Sequence, residues 1–344
     1  MKNIFCTPPL FRGFNLQILP MKQANRLEWV DQSRGLAFLM VIFSHMDFDN
    51  YVVMRFFNPV FLTTFFFVSG YLYKDNIPFL TMLRQRTRTL LWPFIVLGSI
   101  LIFLSYLHSY NDKQIGLLES YGELFSQYGY VHINTMWFIP SLYLYSIGFY
   151  PLLHIKNNRI RLMVVILCMI INWFLLYIVN IPSLPWHIGW MGFAWFYMYL
   201  GKLYQKNESI IDKVMNPIWI VILLVLYIFY IVGTNRSCNF YGSPFLIDSL
   251  VLTHIGLTLM IYISKRIHNR FTMFIGGNTL LYFAFHGKCM SLVNQCFLHF
   301  NFVGNTFLEI ETILLLGTIL TAVLLIPICL FINRYMPFLI GKFK

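Results

Sequence analysis

Ten windows of mainly apolar residues, each near the roughly 20 residues a helix needs to cross a bilayer, divide this 344-residue chain. They run over Gly35 to Val53, Phe56 to Leu72, Leu90 to Leu107, Met136 to Leu153, Leu162 to Ile181, Ile188 to Tyr204, Pro217 to Gly233, Pro244 to Ile263, Phe274 to Val293 and Ile310 to Ile332. Only 11% of the residues are charged and 58% are hydrophobic. A soluble domain carries about 25% charged residues, so a water-solvated surface of ordinary size cannot be built, and a plain soluble enzyme is excluded.

The net charge of +12 would suggest nucleic acid in a soluble chain. Its distribution gives another cause. If the ten windows are spans, 21 of the 25 Lys and Arg residues fall on one side, and Arg55, Lys113, Arg236 and Lys288 alone fall on the other. Cytoplasmic loops are enriched in Lys and Arg. The expected fold is therefore an all-α polytopic membrane protein of about ten transmembrane helices in one bundle, with both termini cytoplasmic. Membrane lipid is its surroundings, and no nucleic-acid partner is expected.

The expected organisation is a cytoplasmic leader over 1–25, a membrane domain over 26–335 and a short cytoplasmic tail over 336–344. The leader's apolar patch is broken by Pro8, Pro9 and Pro20, so no cleavable signal peptide is read. The longest loop, His108 to Thr135, falls outside with Asp112, Glu119 and Glu123 and has room for a short re-entrant or surface helix. Six cysteines are scattered singly, so neither a disulfide framework nor metal spacing is readable, and no metal is expected.

Ionisable side chains inside a bilayer are costly, and their retention asks for a reason. His45 sits well inside the first window and Arg34 at its cytoplasmic entry. Eleven residues at 100° each close almost three turns, which puts both on one stripe about 16 Å apart. Asp31 lies one turn before Arg34 and can pair with it. Two readings stay open: an orientation charge with a packing histidine, or a binding guanidinium with a general base, the natural role of a neutral imidazole. Glu28 and Asp47 are alternative acids at span ends.

Arg84, Arg86 and Arg88 concentrate three guanidinium groups on the cytoplasmic side, suited to phosphate oxygens or to orientation alone. Ser69 and Gly70 end the second window beside that loop, where small residues permit close approach of a helix or a ligand. Trp137 suits an aromatic-belt anchor at the outer interface. His286 and His254 are mid-depth histidines, and Gly276, Gly277 and Asn278 open the span that carries His286.

The stretch RLEWVDQSRGLAFLMVIFSH, which spaces Arg34 and His45 by ten residues, resembles the opening helix of acyltransferase family 3. The resemblance continues in order through FFFVSGYLY (Phe65 to Tyr73), RQRTRTLLWPF (Arg84 to Phe94), MWFIPSLYL (Met136 to Leu144), FYMYLGKLY (Phe196 to Tyr204) and FIGGNTLLYFAFH (Phe274 to His286). It covers Arg26 to Ile332. Thr279 stands where the family usually has Ser, and Phe283 where Tyr is common.

The resemblance implies an enzyme, an O-acyltransferase that moves acetyl from acetyl-coenzyme A, as co-substrate, to a sugar hydroxyl of a cell-surface or lipid-linked glycan. It also implies a multi-pass protein of the cell membrane, the bacterial inner or plasma membrane being the expected one. On that expectation Arg84, Arg86 and Arg88, with Arg34 deeper in, bind the donor phosphates, and the pantetheine arm passes Ser69 and Gly70. His45, supported by Arg34 and Asp31, is the base. A covalent acyl-histidine relay is compatible with the same residues. His286, Asn278 and Trp137 are possible additional site residues. The rival reading is a transporter or flippase for a glycan precursor, with His45 and His286 lining its path.

Overall fold

The computed structural model describes residues 27–46, 51–108, 117–126, 136–181, 184–234, 238, 243–302, 304 and 306–343. The leader, Arg26, Asp47, Asp112, Lys113 and Arg236 lie outside the described residues. Every element among the described residues is helical.

The order is α1 (Glu28–Met46), α2 (Tyr51–Phe57), α3 (Phe61–Tyr71) and α4 (Phe79–Arg86), the last running through a π turn (Thr87–Leu91) into α5 (Trp92–His108). Then come α6 (Leu117–Ser126), α7 (Phe138–Leu153), α8 (Asn158–Tyr177) and a 3-10 turn (Pro185–Trp190). The rest are α9 (Met191–Val214), α10 (Pro217–Thr234), α11 (Leu246–Ser264), α12 (Arg270–Gly277), α13 (Thr279–His299) and α14 (Phe307–Tyr335).

A helix or helix pair occupies each of the ten apolar windows, and α6 occupies part of the longest loop. Six stretches are long and apolar enough on their own to cross a membrane: Val53–Tyr71, Phe79–Leu107, Asn158–Tyr177, Pro217–Thr234, Leu246–Ser264 and Phe307–Tyr335. The shorter Phe138–Leu153 is also apolar. The other windows fall on α1, α9 and α12–α13, which carry the polar groups of the interior. Helix α10 exposes most of its apolar side chains and α8 about half, among them Leu167, Phe174, Val221 and Phe229. That is the composition of a helix facing lipid.

Helix α1 lies at the centre, against α12, α14, α3, α13 and α11. Lipid tails are as apolar as Leu, so helices in a bilayer associate through close packing and interhelical hydrogen bonds. Both devices are present. Gly35 lies against the Thr272 backbone and Gly276 against the Asp31 backbone, so a Cβ at either would collide with a carbonyl oxygen. Buried Gln32 donates to Thr272 Oγ1 at 2.6 Å across the same seam. Helices α3 and α9 meet likewise, Gly70 against the Met198 backbone and Gly201 against that of Phe67.

Helices α12 and α13 are separated by a break at Asn278, whose φ of −120° and ψ of 18° leave the helical region. Asn278 Nδ2 donates to the Phe274 carbonyl at 2.8 Å, and its Oδ1 accepts from Asn333 Nδ2 on α14 at 2.8 Å. The break sets the direction of α13 and so the position of His286.

Candidate active site

Two histidines from opposite ends of the chain meet beside the buried face of α1. The rings of His45 and His286 lie 5.5 Å apart between centroids, with planes at 37°. His286 is fully buried, and its Nδ1 lies 2.8 Å from the Tyr282 carbonyl one turn back. Its Nε2 is buried without a hydrogen-bond partner. Phe38 stands perpendicular to it at 5.3 Å, and Phe283 packs edge-on to Phe38 at 4.7 Å and stacks on Phe138 at 4.9 Å. The pair of imidazoles is thus set into an aromatic wall.

Arg34 is half-buried and Asp31 buried, both on α1 toward its start. Helical rise separates Arg34 from His45 by about 16 Å. Ser69 donates to the Phe65 carbonyl one turn back at 2.7 Å, and Gly70 lies in the α3–α9 contact.

The three arginines differ. Arg84 is exposed, and Arg86 is half-buried with its guanidinium 5.2 Å over the Tyr73 ring. Arg88 is committed to the segment after α14: Nε donates to the Gly341 carbonyl at 2.6 Å and a terminal nitrogen to that of Phe343 at 2.9 Å. Its guanidinium also lies 5.0 Å over the Phe343 ring, and Trp92 Nε1 donates to the Phe338 carbonyl at 2.9 Å.

Trp137 packs edge-on against His187 at 4.5 Å and Trp190 at 5.4 Å. The Trp186 and His187 backbones beside it take positive φ angles of 52° and 49°. Ser141 and Tyr145 hold the carbonyls of those two residues. His254 has its Nδ1 2.6 Å from the Leu250 carbonyl and packs on Phe196 at 5.6 Å, a satisfied packing histidine. Exposed Glu28 pairs with His268 at 3.2 Å.

A polar cluster that sequence reasoning missed sits where α1, α3, α9 and α11 meet. Lys265 Nζ bonds Glu208 and Asp212, each at 2.6 Å, and lies about 5 Å over the rings of Trp29 and Tyr204. Tyr71 donates to Glu208 and Tyr204 to Asp212, also at 2.6 Å. Nearby in sequence, buried Lys202 donates to the Tyr73 carbonyl at 2.8 Å, to Gln205 at 2.8 Å and to Asp75 at 3.2 Å. Lys265 lies more than 50 positions from both of its acidic partners, so no spacing announced the cluster. The charges fasten the C-terminal end of α9 to the bundle. Among the described residues, no group of three or more His, Cys, Asp or Glu side chains is placed to hold a metal.

A family model described as an acyltransferase domain matches residues 27–334, nearly the whole chain. No curated protein and no solved structure matches the chain.

Proposed function

We propose that this chain, which belongs to acyltransferase family 3, transfers acetyl from acetyl-coenzyme A to a sugar hydroxyl of a cell-surface or lipid-linked glycan. The observation that carries the proposal is the convergence of His45 with His286 in an aromatic chamber, on the helix that also bears Arg34. A membrane acyltransferase needs a base held at depth and a cationic entry for the donor, and these residue types fit both. The ten crossings, with both termini in the cytoplasm, put the arginines on the side where the donor is made.

Arg84 and Arg86 present guanidinium forks that suit the donor phosphates. Arg34 continues the positive charge along α1. His45 removes the proton of the acceptor hydroxyl as the oxygen attacks the thioester carbon; the C–O bond forms, the C–S bond breaks, and His45 returns the proton to the departing sulfur. A positioned base of this kind contributes typically 10² to 10⁴ in rate, and holding the reactants in line contributes further.

The test is incubation of purified protein with radiolabelled acetyl-coenzyme A and lipid-linked glycans extracted from membranes. Release of coenzyme A thiol with label on the glycan supports the proposal. Movement of glycan across vesicle membranes without thioester consumption would replace it with a flippase.

A further inference from the structure

His286 presents a buried acceptor with nothing to accept from. Its Nδ1 faces the Tyr282 carbonyl at 2.8 Å, and a carbonyl only accepts, so Nδ1 carries the hydrogen. In a neutral imidazole the other nitrogen is then a bare lone pair. That nitrogen, Nε2, is buried without a partner, in a ring whose centroid lies 5.3 Å from that of Phe38 and 6.5 Å from that of Phe283. Buried polar atoms are almost always satisfied, and an exception asks for an explanation.

The polar group packed against it is His45, 5.5 Å away between ring centroids. We infer that His286 is the positioning partner of His45: its Nε2 accepts a hydrogen bond from one His45 nitrogen and so leaves the other bare to receive the acceptor's proton. The inference deepens the proposed function and rests on His45 being the base.

The anchoring of the two rings agrees with this division. Helix α13 is held by Tyr282, whose hydroxyl donates to the Ala322 carbonyl at 2.8 Å, and by the Asn278–Asn333 bond at its start. His286 is therefore fixed, whereas half-buried His45 sits in the last turn of α1. The bond between the two rings requires a His45 N–H to come within about 3 Å of Nε2. In a histidine dyad the bond made by one nitrogen decides which tautomer the ring adopts. A carboxylate partner would also favour the charged imidazolium at rest, while a neutral imidazole sets the tautomer alone. His286 neither gains nor loses a proton over the cycle: the hydroxyl proton goes to His45 and from there to the sulfur.

The experiment compares His286→Phe, which keeps an aromatic ring without an acceptor, with His286→Gln, whose Oε1 reaches toward the position of Nε2. Both are purified as the full chain and assayed by thiol release from acetyl-coenzyme A with membrane glycan extract. Nitrogen-15 NMR of the histidine rings reports the tautomer. The expected result is a kcat loss of about 10- to 100-fold in His286→Phe, KM for acetyl-coenzyme A within twofold, a mixed His45 tautomer, and recovery of most of the rate in His286→Gln. Should His286→Phe fail to fold, His286→Leu supplies the acceptor-free side chain. Wild-type rate in a folded acceptor-free variant, or equal loss in His286→Gln and His286→Phe, would overturn the inference. His45→Gln separates the two failures. If it is inactive while His286→Phe is unaffected, only this inference falls; if it retains the wild-type rate, the base assignment falls with it.

Discussion

Arg88 holds the Gly341 carbonyl at 2.6 Å through its Nε, which commits one of three neighbouring arginines to the polypeptide itself. These arginines, expected in a loop, sit instead at the end of α4 and in the π turn that follows it, and on the proposed function Arg84 and Arg86 are the two that remain to meet donor phosphates. The double variant Arg84→Gln, Arg86→Gln should raise the Kd for acetyl-coenzyme A by about tenfold or more and flatten its salt dependence, because exposed charges are screened. Arg88→Gln should change donor affinity far less and instead expose the segment 336–343 to limited proteolysis. Equal effects of all three substitutions on donor binding, read by titration at two salt concentrations, would return Arg88 to the donor site.

The Gly276 contact with the Asp31 backbone makes a second prediction. Gly276→Ala forces α12 away from α1 and should destabilise the protein by about 1–3 kcal/mol, the usual cost of overpacking. Gly233→Ala, where nothing lies within 4 Å, should leave the melting temperature in detergent unchanged. Equal melting temperatures of the two variants would contradict the seam.

Burial is the largest single influence on the Asp75 carboxyl and pushes it up, but the hydrogen bond from Lys202, a backbone hydrogen bond and the charges of Lys202 and Lys206 together outweigh it and hold the group below the ordinary carboxylate range. A depressed acid adds stability above its unfolded pKa and loses it as pH falls through the folded value. For a partly exposed pair the contribution is under about 1 kcal/mol. Between about pH 5 and pH 3, wild-type protein should therefore lose slightly more thermal stability than Asp75→Asn. Parallel curves would show that the pair contributes nothing.

The apolar windows were legible because a membrane span must satisfy its backbone within one helix, so each window fell on helical structure without knowledge of its neighbours. The Arg34 and His45 stripe was legible for the same local reason. What spacing could not carry was any contact made across the bundle. His286 was noticed as a mid-depth histidine, but its meeting with His45 depends on the break at Asn278 and the tie to Asn333. Small residues at Ser69 and Gly70 suit ligand or packing alike, and that the Met198 backbone lies behind Gly70 had no sequence signal. The Lys265 cluster joins residues more than 50 positions apart and had no sequence signal.

The proposed topology rests on the 21 to 4 split of basic residues under the positive-inside rule. Reporter fusions near Arg86, Arg159 and Lys344 should be cytoplasmic, and fusions at Asn111 and Arg236 external. An external fusion at Lys344 would overturn the ten-span arrangement.

The assignment of His45 as base is the centre of the proposed function, and single-turnover transfer from acetyl-coenzyme A by His45→Gln protein tests it most directly. Glutamine keeps the size and some hydrogen bonding of histidine but cannot take a proton near neutral pH. The expected result is a fall in transfer of about 10² or more, with donor affinity within a few-fold of wild type. Transfer at the wild-type rate by well-folded His45→Gln would contradict it.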